Sequence, residues 1–243
     1  MAKPKKKLSK KALNLIQMGN HQTENLNQSL VAFGSDVDQI IRSSESLNCW
    51  SNALQAHGLA SLVSEIFIDI YASIHFSLCG LYKYADMALR SALENTLNVA
   101  YFHGHPVEYS WWQKGSEWYL TNKQPHPWGD GYNYFQLLAS ELPGNRGENT
   151  IEKELSAEYR ALSKSIHSTS LKLQTKGLKL APTVDIARFK QWSERMNRVL
   201  SLINSVLVLA LQDKFGKMTK PDTKLISEVI LDEHKRLLQP IKM

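Results

Sequence analysis

In the stretch Arg160-Ala-Leu-Ser-Lys-Ser-Ile-His167, three residues combine types and spacing suited to phosphate and proton chemistry. At about 100° per residue, positions i, i+4 and i+7 share one helix face. Arg160, Lys164 and His167 are therefore expected to point one way, and Leu162 and Ile166 the other. An imidazole can take the proton of a 2′-hydroxyl, or give one to a leaving oxygen, near neutral pH. A guanidinium holds phosphate with two donors and stabilises charge developing on it. Lysine adds a point charge for substrate binding. This set suits RNA cleavage, and none of it requires a metal. The spacing by itself is weak, because roughly one Arg-x(4–6)-His pair is expected by chance in a chain of this composition. The plain alternative is an exposed Arg and a helix-end His beside Ser168.

Other charged groups could support that face. Arg90 and Glu94 form an i,i+4 pair, with Asp86 one turn earlier and Lys83 nearby. In an apolar helix this arrangement reads first as a partly buried ion-pair network, and second as support behind Arg160 or His167. Glu65 and Asp69 are i,i+4 carboxylates whose mutual repulsion can raise one pKa; solvation or pairing with Lys83 is the simpler reading. No Glu-x-x-His occurs, and His103, His105 and His126 do not form two matched ligand sets, so neither a metal nor another cofactor is expected. The chain also lacks a Gly-rich phosphate loop and a Gly-x-Ser-x-Gly nucleophile turn. Tyr101–Phe135 carries half of all the aromatics, Trp111, Trp112, Trp118 and Trp128 among them. With so few basic residues between them, burial in a core or subunit interface is a better reading than base stacking.

These residues must be positioned by helices. Leu62, Ile66, Ile70 and Ile74 keep helical spacing, and Ala85, Ala88, Ala92, Leu93 and Leu97 resume it beyond Gly80. Ser61–Tyr101 is therefore two long helices, or one bent at Gly80, stopped by Gly104-His105-Pro106. Pro106 can open a helix through Tyr119, and Thr121–Tyr132 reads as a loop. A short aromatic helix is expected over Tyr132–Leu142, then a loop at Pro143–Gly147. Asn149 or Thr150 can cap a helix over Ile151–His167. Leu171–Leu180 could be a small hairpin or an extended loop. Asp185 should cap a long helix over Ile186–Phe215, ended by Gly216 and Pro221, with a final amphipathic helix over Thr223–Leu238.

Composition sets the outer bounds. The 243 residues are 43% hydrophobic and 21% charged, which is an ordinary globular balance. The net charge is +6, and six lysines lie within the first eleven residues, so the remainder is close to neutral. Residues 1–11 read as a basic flexible tail, 12–56 as a weakly amphipathic extension of two or three helices, and 57–243 as the main helical domain. Cys49 and Cys79 form no CxxC and read as buried free thiols of a reducing compartment. The N-terminus lacks a signal-peptide pattern, and no stretch offers roughly 20 uninterrupted apolar residues. A cytoplasmic protein with no membrane partner is expected.

The text Glu158-Tyr-Arg-Ala-Leu-Ser-Lys-Ser-Ile-His167-Ser resembles the motif helix of the HEPN (higher eukaryotes and prokaryotes nucleotide-binding) superfamily, in its Abi-like and uncharacterised bacterial members. Ala88-Leu-Arg-Ser-Ala-Leu-Glu-Asn95, with the aromatic segment after it and Gly104-His-Pro-Val-Glu108, is similar to those members too. The resemblance covers about Ser61–Ser170. It implies an all-α helical bundle of HEPN type with additional N-terminal helices and a basic tail. It implies a metal-independent endoribonuclease of a prokaryotic defence or toxin-type system, with Arg160 and His167 catalytic. It also implies a homodimer whose two motif helices build one composite site on RNA, with a partner protein of the same system. Active members often carry Asn, Asp or His directly after the Arg. Ala161 stands there in this chain, which leaves open a catalytically inactive HEPN-like scaffold binding RNA or a defence effector.

Overall fold

The computed structural model describes residues 9–114, 126–141, 150–166 and 185–238. Among these residues the fold is all-α, with no strand. Helices run over Lys10–Ser44 (α1), Ser46–Leu54 (α2), Ala60–Leu78 (α3), Tyr82–Gly104 (α4), Pro106–Lys114 (α5), Tyr132–Ser140 (α6), Ile151–Ile166 (α7), Ile186–Ala210 (α8), Gln212–Phe215 (α9), Lys220–Val229 (α10) and Asp232–Leu237 (α11). Leu171–Leu180 and the loop expected at Pro143–Gly147 lie outside the described residues.

Gly80 settles the choice between a bend and a break. Its φ of +75° is left-handed, and the Leu81 N–H reaches back to the Phe76 carbonyl at 2.7 Å. This is a Schellman closure, which glycine adopts without a Cβ penalty. The chain reverses there, so α3 and α4 pack as a hairpin: Ser73 on α3 donates to the Ala85 carbonyl on α4 at 3.0 Å, and Asn95 to Asp69 at 3.1 Å. The Asp69 carboxyl is raised from its ordinary range, first by burial and only secondarily by Glu65.

α4 and α8 form the centre. α4 packs against α3, α6, α7 and α8. From Val199 to Leu209 every residue of α8 is buried, so this part of the helix is enclosed on all sides. The polar residues in that run are satisfied internally. Asn204 accepts from Trp50 Nε1 at 3.0 Å and donates to Ser46 Oγ at 3.1 Å. Phe33, Val37 and Ile40 of α1 and Leu47, Trp50 and Leu54 of α2 belong to the same apolar core.

Three expectations are corrected. The long helix stops at Leu211 (φ −120°, ψ 36°), and a separate short turn carries Phe215 into the core. Pro221 opens a helix instead of ending one. Thr219 is the N-cap, accepting from the Asp222 N–H, and proline sits in the first turn, where no backbone donor is needed. The final helix is two, because Ile230 turns extended so that its side chain can be buried. α3 is also long and apolar enough by composition to cross a membrane, but Leu62, Val63, Ile66, Ile70 and Ile74 are buried against α1, α2, α4 and α8 as in a core helix.

Candidate functional site

α7 divides cleanly by face. Ile151, Leu155, Glu158, Tyr159, Leu162 and Ser165 are buried, whereas Lys153, Ala157, Arg160 and Lys164 are exposed. The outward stripe therefore carries three cations at helical spacing, and Arg160 and Lys164 lie on it as the sequence implies. His167 lies outside the described residues. Arg160 is held by its own helix: Nε donates to the Ser156 carbonyl at 3.2 Å and Nη2 to Ser156 Oγ at 2.9 Å.

Beside this stripe runs an aromatic stack. His126 caps a π-helical turn at Pro127–Gly131 that presents Trp128. Trp128 lies flat on Tyr159 (3.6 Å, 7°) and on Tyr132 (4.7 Å, 20°). Tyr132 donates to the Glu152 carbonyl at 2.9 Å, and burial raises its phenol, opposed by Ser156 and Arg160. Trp128 and Tyr132 are half-buried, so the stack borders the cationic face and reaches solvent.

Arg90 and Glu94 meet the inward side of α7. Arg90 Nε donates to Glu94 Oε1 at 3.0 Å and Nη2 to the Tyr159 hydroxyl at 2.7 Å, while that hydroxyl donates to Glu94 at 2.7 Å. Burial and the Glu94 contact push Tyr159 up to about 12, so it stays a protonated donor. The pair thus fixes the residue next to Arg160 and does not touch Arg160 itself. One turn along, Arg195 of α8 bridges Asp86 (3.1 Å) and Glu158 (3.0 Å), and Ser165 donates to Asp86. Burial raises the Glu158 carboxyl despite Arg195 and Arg198 beside it. Nothing in the local sequence around Asp86 or Glu158 names Arg195 as their partner.

Sequence reasoning missed a second constellation altogether. His234 of α11 is fully buried, with Nε2 2.6 Å from Glu154 Oε2 and Nδ1 2.5 Å from Ser201 Oγ. Ser201 also accepts the Leu231 N–H at 2.8 Å. Serine, imidazole and carboxylate in line resemble a nucleophile relay, but Ser201 is wholly buried in the middle of α8, and a substrate carbonyl could not reach it. Only the adjacent Glu233-His234 pair hints at this in the sequence, since its partners lie far away along the chain. A third feature is a cleft of about 410 Å³ between α2 and α9–α10, lined by Cys49, Lys214, Lys217, Met218 and Asp222, and it holds none of the expected site residues.

No family model, curated protein or solved structure matches the chain.

Proposed function

We propose that the chain binds RNA along the outer face of α7 and cleaves it as a metal-independent, HEPN-like endoribonuclease. Arg160 holds the scissile phosphate, Lys164 the neighbouring backbone, and His167 moves the proton of the attacking 2′-hydroxyl. A second copy of the chain completes the site, in a cytoplasmic defence or toxin-type setting. The observation that supports this is the exposed stripe of Lys153, Arg160 and Lys164 beside the half-buried Trp128–Tyr132 stack. Cations at helical spacing suit phosphates, and adjoining aromatic faces suit unpaired bases. The Arg90–Glu94–Tyr159 cluster behind the helix supports the geometry, because it holds α7 without occupying the outward face.

The test is RNA incubated with the full chain in a metal chelator. Cleavage is expected to persist, to leave a 2′,3′-cyclic phosphate, and to vanish on DNA of the same sequence, which lacks the nucleophile. Arg160→Ala and His167→Ala should each abolish it, and Lys164→Ala should mainly weaken binding. Cleavage that requires magnesium, or that survives His167→Ala, overturns the mechanism. Ala161 favours a second reading, a catalytically inactive scaffold subunit that binds RNA or a defence effector, because a methyl group gives Arg160 no polar neighbour to share the phosphate. Arg160-dependent RNA binding with no cleavage under any condition is the outcome that selects it.

A further inference from the structure

Glu154, Glu233 and His234 each offer one ligand atom, and these atoms lie within 4.8 Å of one another. A first-row divalent ion bonded at about 2.0–2.2 Å to imidazole nitrogen and carboxylate oxygen holds its ligands about 3–4 Å apart, so small side-chain rotations would close the set. His234 is fully buried, Glu154 is about a third exposed and Glu233 is exposed, which puts the imidazole at the floor of the site and water at its mouth.

Two further observations distinguish this from an ordinary buried histidine. Among the described residues, no Lys or Arg forms an ion pair with Glu154 or Glu233, so two carboxylates converge on one imidazole. The far ring nitrogen is also held from behind. Ser201 Oγ lies against Nδ1 and is itself fixed by the Leu231 N–H, so the ring is oriented and Nε2 is left facing the carboxylates. A metal-ligating imidazole commonly has such an outer partner, which sets its tautomer and direction.

We propose that Glu154, Glu233 and His234 bind a divalent first-row transition ion, with the remaining coordination positions open to water. One nitrogen and two carboxylate oxygens suit zinc, or manganese and iron, better than calcium or magnesium, which prefer oxygen alone. The site joins α11 to the first turn of α7, so the ion fastens the C-terminal helix to the core. It lies on a different face of α7 from Arg160 and does not depend on the nuclease reading.

The experiment is calorimetric titration of the metal-free full chain with zinc chloride, paired with cobalt substitution and thermal melts. Wild type is expected to bind one ion per chain, to give a visible cobalt band, and to melt at a higher temperature with zinc. His234→Ala removes a buried side chain and risks the fold, so the deciding variants are Glu233→Gln, on the surface, and Glu154→Gln. Each should weaken zinc binding by at least about ten-fold, the loss that even outer-shell partners carry, and should lose the zinc-dependent rise in melting temperature. Failure of wild type to bind stoichiometrically overturns the site, as does undiminished binding in both variants.

Discussion

Cys49 lies where α2 meets α10, with its thiol 3.4 Å from Asp222 Oδ1. Burial first, and then the Asp222 contact, push this thiol up to about 11. Because only the thiolate attacks a disulfide reagent, a raised pKa means slow reaction at ordinary pH and acceleration as pH climbs toward 11. In a Cys79→Ser variant, the remaining thiol should react with an aromatic disulfide at pH 8 on the order of a hundred-fold more slowly than the unfolded chain, from ionisation alone. Asp222→Asn should recover only part of that, since burial is the larger cause. Rapid native-state reaction at pH 8 would contradict the placement. The sequence reading of Cys49 as a buried free thiol is corrected to a half-buried one, and Asp222 as its partner was not legible at all. The same divide separates Arg160 and Lys164, whose common face follows from their spacing, from Arg195 and His234, whose roles come from partners on other helices.

Between elements, an aromatic joint forms where α4 ends against α6. His105 stacks on Tyr101 at 4.1 Å, and Tyr134 of α6 meets both rings edge-on. A Cβ at Gly104 would stand 2.2 Å from the Tyr134 hydroxyl and 2.6 Å from the ring carbon that carries it. Gly104→Ala should therefore displace Tyr134 and destabilise the fold by about 1–3 kcal/mol, as overpacking does. Melting curves should show the loss, and Tyr134→Leu in the same chain should restore part of it. An unchanged melting temperature in Gly104→Ala would refute the joint. The sequence marks Gly104-His105-Pro106 as a helix stop but not as an aromatic seat. Helix existence was legible for α3, α4, α7 and α8, because each keeps an apolar period. Helix ends at Leu211 and Ile230 were not, because there the chain breaks its helix to send Phe215 and Ile230 into a core formed by distant segments.

For the whole molecule, the proposed composite site requires two copies. Light scattering on the 27.6 kDa chain is expected to return a dimer at tens of micromolar, and substitution of half-exposed Trp111 or Trp112 by Asp to shift it toward monomer if the aromatic segment lies at the interface. A strict monomer at high concentration would remove the composite site. The sequence by itself determined the all-α class, the positions of the main helices and the cationic outer face of α7, since these follow from local periodicity and from residue types a few positions apart. Only the tertiary structure decided that Arg90 and Glu94 clasp Tyr159, that Arg195 joins Asp86 to Glu158, and that Glu154, Ser201 and His234 meet. Those groups are brought together by how three or four helices pack in space, and no spacing along the chain encodes that.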